Sequence, residues 1–483
     1  MELKPVPRRV IPIQVQAADA QGMVSLYEKT PKVYPRSVAG WFARWRWAMV
    51  WLTQLVFYGL PWLQWNGRQA VLFDLAERRF FVFGLVLHPQ DFIYLAALLI
   101  LAALLLFFVT AIAGRVWCGY ACPQTVYTEI FMWVERHTEG DRQARMRLDA
   151  AAWGPQKLAR KSAKQGAWIA LALLTGLSFV GYFTPMRELG GALLLWALSP
   201  WQWFWVLFYA FATYGNAGFM REQVCKTMCP YARFQSALID MDSLVIAYDA
   251  DRGEARGGRA RSADPKALGL GDCIDCTLCV QVCPTGIDIR NGLQNECIAC
   301  AACIDVCDQV MLKMDYAPGL IRYSSGNGME QQLNSRQLAQ RVGRPRVWIY
   351  GALLLLVGSA FVLSLSTRKG FSVDVMKDRG TLAREVERGA IENVYRLQVM
   401  NAREQAQHFT ASVQGPPGLR VVTDPQLTVE ATGIASLTVR LNLPPEQAKA
   451  VRGQTLPIHF RVQTEVDGQV LSTEEKSTFY VPR

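Results

Sequence analysis

Apolar residues gather into five long stretches, at residues 47–65, 91–114, 166–186, 200–220 and 347–366. A helix rises 1.5 Å per residue, so about 20 apolar residues cross a hydrocarbon core roughly 30 Å thick, and each stretch predicts one membrane span. The second and fifth are almost unbroken; the first and fourth are rich in Trp, and the fourth has an alternative start near Ala192 with Pro200 as a break. The first 45 residues hold no apolar core of the signal-peptide kind. Beyond Phe371 the apolar period shortens to two. Segments 394–399, 407–413, 437–441, 457–462 and 477–481 alternate like strands, with Gly415-Pro416-Pro417-Gly418 and Asp467-Gly468 as turns between some of them. About 110 residues with some seven strands predict an immunoglobulin-like sandwich. It lacks a Cys pair and any catalytic constellation, so docking or scaffolding is its default role.

Composition agrees with a membrane chain. Hydrophobic residues make up 51% of the 483 positions and charged residues only 19%, which excludes a disordered chain and disfavours a wholly soluble one. Lys plus Arg exceed Asp plus Glu by 51 − 40 = 11. The excess is not spread evenly. Successive polar segments carry 8, 3, 9, 1 and 15 Lys and Arg, the last running to Arg346. By the positive-inside rule this puts the N-terminus inside and the region after residue 367 outside, in the periplasm of a Gram-negative cell. The basic residues form no recognition motif, which argues against nucleic acid as a partner. The 15 Trp fit interfacial belts.

Cysteine spacing brings in the chemistry. Cys273-x2-Cys276-x2-Cys279-x3-Cys283-Pro284 is followed by Cys297-x2-Cys300-x2-Cys303-x3-Cys307. In bacterial ferredoxins with this spacing the fourth Cys of each run ligates the other cluster. One [4Fe-4S] cluster would take Cys273, Cys276, Cys279 and Cys307, and a second Cys297, Cys300, Cys303 and Cys283. A zinc or disulfide site is the bland alternative, and two tandem copies of the spacing weigh heavily against it. Asp308 stands where the first run has Pro284.

Two further motifs repeat each other: Cys118-x3-Cys122-Pro123 after the second apolar stretch and Cys225-x3-Cys229-Pro230 after the fourth. The repeat predicts two related helical hairpins. On a continuous helix, x3 spacing places both thiols on one face, while Pro after the second Cys breaks the helix there. Four thiols from two hairpins can converge on one site. Soft sulfur, with help from Met220 or Met228, suits Cu(I). A disulfide, a third cluster or small buried residues at helix ends are the alternatives. All twelve Cys lie in segments assigned to the reducing side. His137 reads as an interfacial surface residue more than a ligand, and His88, His408 and His459 as structural.

Taken together, five spans, paired Cys-x3-Cys-Pro motifs, a dicluster module and an outside immunoglobulin-like tail resemble the cytochrome c oxidase accessory proteins of the CcoG/FixG/RdxA type. The stretch Tyr248-Asp249-x2-Arg252-Gly253-Glu254-x-Arg256-Gly257 resembles a signature of that family, with Ala255 in place of Pro. The resemblance implies a multidomain membrane protein: a tail (1–46), a four-span domain (47–230), a cytoplasmic 2[4Fe-4S] ferredoxin-type domain (231–346), a fifth helix (347–366) and a periplasmic domain (371–483). It implies an iron–sulfur oxidoreductase of the inner membrane, reducing Cu(II) to Cu(I) during assembly of cbb3-type oxidase. The oxidase, copper-delivery proteins and an unidentified electron donor would be its partners, and Cys118, Cys122, Cys225 and Cys229 its copper-linked catalytic residues. A homodimer is compatible with it. A quinone-linked electron relay and a non-enzymatic scaffold are the other readings.

Overall fold

The computed structural model describes residues 32–378, 380, 382–386, 389–466 and 468–483, so most of the tail expected at 1–46 lies outside the described residues. The first half is helical: α1 (Trp41–Gly59), α2 (Phe92–Ala113), α3 (Val116–Tyr120), α4 (Pro123–Thr138), α5 (Arg142–Ala150), α6 (Pro155–Val180), α7 (Met186–Leu194) and α8 (Pro200–Thr213). Pro opens α4, α6 and α8, where its missing N–H has no intrahelical partner to lose. After α8 the chain winds as a π-helix over Tyr214–Met220 and, after one α-turn, as another over Val224–Met228; α9 (Pro230–Leu238) follows.

Among the described residues, three helical segments have the length and apolarity to cross a membrane: Pro89–Ala113, Pro155–Val180 and Pro345–Ser366. The other two predicted stretches are helical over different bounds. The first helix begins at Trp41 rather than Trp47 and ends at Gly59, where Pro61 turns the chain through Leu60–Trp62 into a short strand. The α-helical part of the fourth stretch covers only 14 residues before the winding loosens.

The cysteine module lies between β4 (Val245–Tyr248) and β5 (Ile321–Ser324), which pair antiparallel with Tyr248 opposite Ile321, and it contains α10 (Ala302–Met314). The following helix, α11 (Pro345–Ser366), lies antiparallel along α2. Tyr94 near the start of α2 reaches Ser364 near the end of α11 at 3.3 Å, and Gly351 of α11 meets Phe108 of α2.

The loop between α1 and α2 holds an antiparallel sheet absent from the sequence reading: β1 (Val71–Asp74), β2 (Arg79–Val82) and β3 (Leu85–Leu87). Leu72, Phe81 and Val86 form its buried cluster, and Ala402 of the C-terminal domain packs against them. That domain is a two-sheet sandwich of β6 (Phe371–Lys377), β7 (Arg384–Val386), β8 (Ala390–Asn401), β9 (Gln407–Gln414), β10 (Arg420–Val421), β11 (Gln426–Val429), β12 (Ile434–Leu443), β13 (Thr455–Val466) and β14 (Gln469–Tyr480). One sheet runs β10-β12-β8-β6 with β7 also beside β8; the other runs β11-β9-β13-β14. Among the described residues, nine strands stand where some seven were expected. Four of the five predicted segments lie wholly inside strands, and the fifth ends one residue past β14. The alternation sends Tyr395, Leu397, Phe409, Leu441, Phe460 and Phe479 into the shared core.

Helices α6 and α8 meet at Gly176, where an added Cβ would stand 2.2 Å from the carbonyl oxygen of Val206. Gly176→Val therefore destabilises the protein by about 1–3 kcal/mol through overpacking. Gly166→Ala, in the same helix with no atom within 4 Å of the new methyl, stabilises it by up to about 1 kcal/mol. Thermal unfolding in detergent checks the opposite signs.

Candidate functional site

The two ferredoxin-type runs wrap with one backbone plan. Asp275 and Thr277 in the first stand at φ 50° and 55°, and Ala299 and Ala301, at the same offsets in the second, at 55° and 59°. A non-glycine residue held left-handed costs roughly 1–2 kcal/mol. Such strain persists where the surroundings over-determine it, often at ligand clamps. Each wrap leads straight into a helix, Leu278–Gln281 in the first and α10 in the second.

The fourth cysteine of each run crosses to the other wrap. One cavity is lined by Cys273, Cys276, Cys279 and Cys307, with Tyr248, Met311 and Ile321. Another is lined by Cys283, Cys297, Cys300 and Cys303, with Ile246, Ile287 and Ile289; Cys279 touches both. Among the described residues, no three Cys, His, Asp or Glu side chains converge tightly enough for a single ion. The sulfurs stand around a space rather than on a point, which fits a polynuclear cluster and not a lone zinc ion. Burial pushes the Cys279 thiol up to about 11 and those of Cys297 and Cys307 to about 12. Four thiolates in such a place need a cationic occupant, as an iron–sulfur core is. These residues fit two [4Fe-4S] clusters.

The second wrap is fastened to helix α1. Asp305, between Cys303 and Cys307, accepts the backbone N–H groups of Phe42 (3.1 Å) and Ala43 (2.8 Å), filling the place of an N-cap. Gly40 is required there, since a Cβ would lie 2.2 Å from the Asp305 carboxyl carbon. Buried Arg46 donates to the Cys300 carbonyl at 2.7 Å. Arg115 donates to the carbonyls of Asn295, Cys297 and, across the fold, Ala232. The family-like stretch folds beside the first cavity: Tyr248 donates to Glu254, Asp249 caps the turn at Arg252, and Arg252 pairs with Asp272 at 2.6 Å.

The two Cys-x3-Cys-Pro motifs meet this module. Cys122 and Cys229 both have extended backbones and stand as N-caps of α4 and α9, each of which opens with the following Pro. Cys118 lies in α3, but Cys225 lies in the π-helix Val224–Met228, so the expected single helical face is not formed. Cys118 and Cys225 pack against the group that contains Ile298 and Cys300. Gly119 permits the approach: its Cβ would lie 2.7 Å from the Ile298 carbonyl oxygen. Cys118 donates to Gln235 at 3.0 Å. Burial raises the Cys118 thiol to about 12 and Cys225 to about 11, and the thiols of Cys122 and Cys229 add to both shifts. Met220 and Met228 are both exposed. His137 is exposed and bonded to its own helix at Trp133, while His88 is buried.

A larger chamber is lined by both Cys225 and Cys300 and walled also by Trp47, Met132, Glu129 and Arg46. Arg145 and Arg221 also line it, and both belong to a buried ion-pair group. Glu135 holds Arg145 at 2.5 Å and Arg221 at 2.8 Å, and Glu139 holds Lys161 and Lys164, both at 2.9 Å. Sequence reasoning missed Arg46, Asp305 and Gly119. Arg46 had registered only as one of the basic residues of the N-terminal tail.

Apolar helices joined to a module of two four-cysteine cavities define a membrane-anchored iron–sulfur redox protein. Comparison with known proteins agrees. Family models match for a 4Fe-4S dicluster domain (residues 220–326), a 4Fe-4S binding domain (95–139) and an IG-like fold at the C-terminal of FixG (361–482). The nitrogen fixation protein FixG of Rhizobium meliloti is 36% identical over 470 residues, covering 89% of each chain. Protein RdxA of Cereibacter sphaeroides is 39% identical over 426 residues, covering 85% of this chain and 90% of its own. The chain belongs to the FixG/RdxA family. Among solved structures, the FixG-related protein from Vibrio parahaemolyticus overlaps 24% of this chain and 99% of its own, at 19% identity and a TM-score of 0.20.

Two outcomes follow from this geometry. Gly119→Ala pushes α3 off the second wrap, so iron falls from about eight toward about four per chain, whereas Gly154→Ala, in open space, leaves it unchanged; iron analysis after desalting decides. The raised thiol values also give loading a pH dependence. The folded apo sites keep their protons well above neutrality, so loading must release them and tightens as pH rises. Iron retained against a chelator is expected to increase from about pH 7 to about pH 9.

Proposed function

We propose that the chain is an inner-membrane cupric reductase that supplies Cu(I) for assembly of a cbb3-type cytochrome c oxidase. The observation that carries this reading is the packing of Cys118 and Cys225, one from each Cys-x3-Cys-Pro motif, against the buried group of Val282, Ile298, Cys300, Ala302 and Val306 at the second wrap. Two [4Fe-4S] clusters, when bound, supply single-electron transfer. The protein's own residues do the rest. Cys273, Cys276, Cys279 and Cys307 hold one cluster, and the exposure of Cys276 gives a soluble donor access to it. Cys283, Cys297, Cys300 and Cys303 hold the other beside the membrane thiols. Cys118, Cys122, Cys225 and Cys229 offer soft sulfur to the copper substrate, which favours Cu(I) over Cu(II).

The proposal includes five spans, with α1 and α8 crossing alongside the three longer apolar helices. The N-terminus and the cysteine module would be cytoplasmic and the sandwich periplasmic, available to the oxidase and to copper-delivery proteins. Three features support this arrangement: the alternation of basic residues, the absence of Cys from the sandwich, and the contact of the β1–β3 sheet with that domain. A quinone-linked relay is the second reading. The chamber lined by Cys225 and Cys300, with Trp47 and Met132 on its wall, favours it.

The test uses anaerobically purified, cluster-loaded protein, reduced and freed of reductant, then given Cu(II) with a Cu(I)-specific chromophore. Each copper takes one electron, so up to about two Cu(I) form per chain, one for each cluster. In step with this the clusters reoxidise. Replacing Cys118, Cys122, Cys225 and Cys229 by Ser is expected to lower the initial rate at least about tenfold, equivalent to about 1.4 kcal/mol in the barrier. Cluster reoxidation by a soluble quinone but not by Cu(II) overturns copper reduction in favour of the relay.

A further inference from the structure

The side chain of Arg46 belongs to helix α1, yet its function lies in the cysteine module. Only 6% of the residue is exposed, and its Nη1 donates to the carbonyl oxygen of Cys300 at 2.7 Å. The charged and titratable groups that face it are Cys300, Glu129, Tyr120 and Asp305. Asp305 is occupied by two backbone N–H groups of α1. Arg46 therefore lines the chamber beside Cys225, makes its close bond to a neutral carbonyl of the second wrap, and places its charge next to Cys300, with Glu129 the other carboxylate that faces it. Arg290 near the first cavity differs: it is locked between Asp275 at 2.5 Å and Asp288 at 2.7 Å, which neutralise it locally.

We propose that Arg46 is the positioning and charge-compensating residue of the second cluster, letting that cluster accept an electron at a higher potential than a neutral side chain there would. Reduction adds one electron, and so one negative charge, to a cluster already ringed by four thiolates; no bond breaks and no proton moves. Burial makes added charge costly, and a buried guanidinium beside the ring offsets the cost. Net charge and hydrogen bonding are among the determinants of iron–sulfur potentials. Arginine suits the place because it stays charged when buried. The inference rests on Cys283, Cys297, Cys300 and Cys303 sharing one cluster, and not on copper as the acceptor.

The experiment is a dithionite titration of the full-length, cluster-loaded protein followed by EPR, in wild type, Arg46→Gln, Arg46→Lys and Cys300→Ser. Loss of one signal in Cys300→Ser identifies the second cluster; two intact signals in that variant would overturn the cluster assignment itself. Arg46→Gln is expected to move the second signal to lower potential and leave the first in place. An Arg46→Gln protein with full iron and both potentials unchanged overturns the proposal. If Arg46→Gln loses the iron of the second cluster, Arg46→Lys decides the charge. Full iron with near-wild-type potential supports compensation, and full iron with a lowered second potential, or loss of the same iron, overturns it.

Discussion

Asp305 and Arg46 exchange bonds across a single junction, and the rest of the arrangement hangs on it. The carboxylate closes the open N–H groups at the start of α1, and the guanidinium, from the next turn, closes a carbonyl in the second cysteine wrap. An N-cap is worth about 0.5–2 kcal/mol in stability. Here it also fixes position, because Asp305 lies between two cysteines of the run. Neither partner can move without leaving a buried polar group unmatched, which costs roughly 1–3 kcal/mol. The two Cys-x3-Cys-Pro motifs then close on the same wrap from the other side. Only Gly at position 119 lets α3 come so near, with the Ile298 oxygen 2.7 Å from where a Cβ would be.

The two Cys-x3-Cys-Pro motifs are alike in sequence and unequal in structure. Both break at the second cysteine, because Pro forces the preceding residue out of the helical region. They differ before the break. Cys118 sits in an α-helical turn and is hydrogen-bonded to buried Gln235, whereas Cys225 is reached through π-helical winding and borders the large chamber. π-Helical segments frequently mark functional sites. Both thiols are half-buried, but Cys118 is hydrogen-bonded while Cys225 faces the chamber.

Much of this was legible in the sequence, for reasons that can be located. Thiolate clusters demand short, fixed spacings, so the cysteine runs were readable, as was each helix break at Cys-Pro. The sandwich showed through because β9, β12 and β13 alternate between core and solvent. The β1–β3 strands are only three or four residues long and gave too short a pattern to register. The π-helical windings were invisible, since one extra residue in a turn barely disturbs an apolar run. Asp305 and Arg46 were illegible for a different cause: each finds its partner, Ala43 for one and Cys300 for the other, more than 250 positions away, and local periodicity carries no trace of such pairings.

Helix α11 extends the argument to the far end of the molecule. Where it begins, Arg344 and Arg346 pair with Asp240 at 2.7 and 2.9 Å, and Arg344 also donates to Ser243 and to the last turn of α2. Where it ends, Arg368 pairs with Asp91 at the head of α2 at 2.5 Å and donates to Val86 of the β1–β3 sheet. An ion pair this sheltered holds through the bonds made around it more than through its own net energy. Pinned at both ends to its antiparallel neighbour, α11 leaves the sandwich little freedom to swing. Arg68 and Glu404 at 2.7 Å, with Ala402 against the Leu72 cluster, close the remaining gap. The same pair of helices thus carries contacts to the β domain's neighbouring sheet at one end and to the segment that leads into the cysteine module at the other.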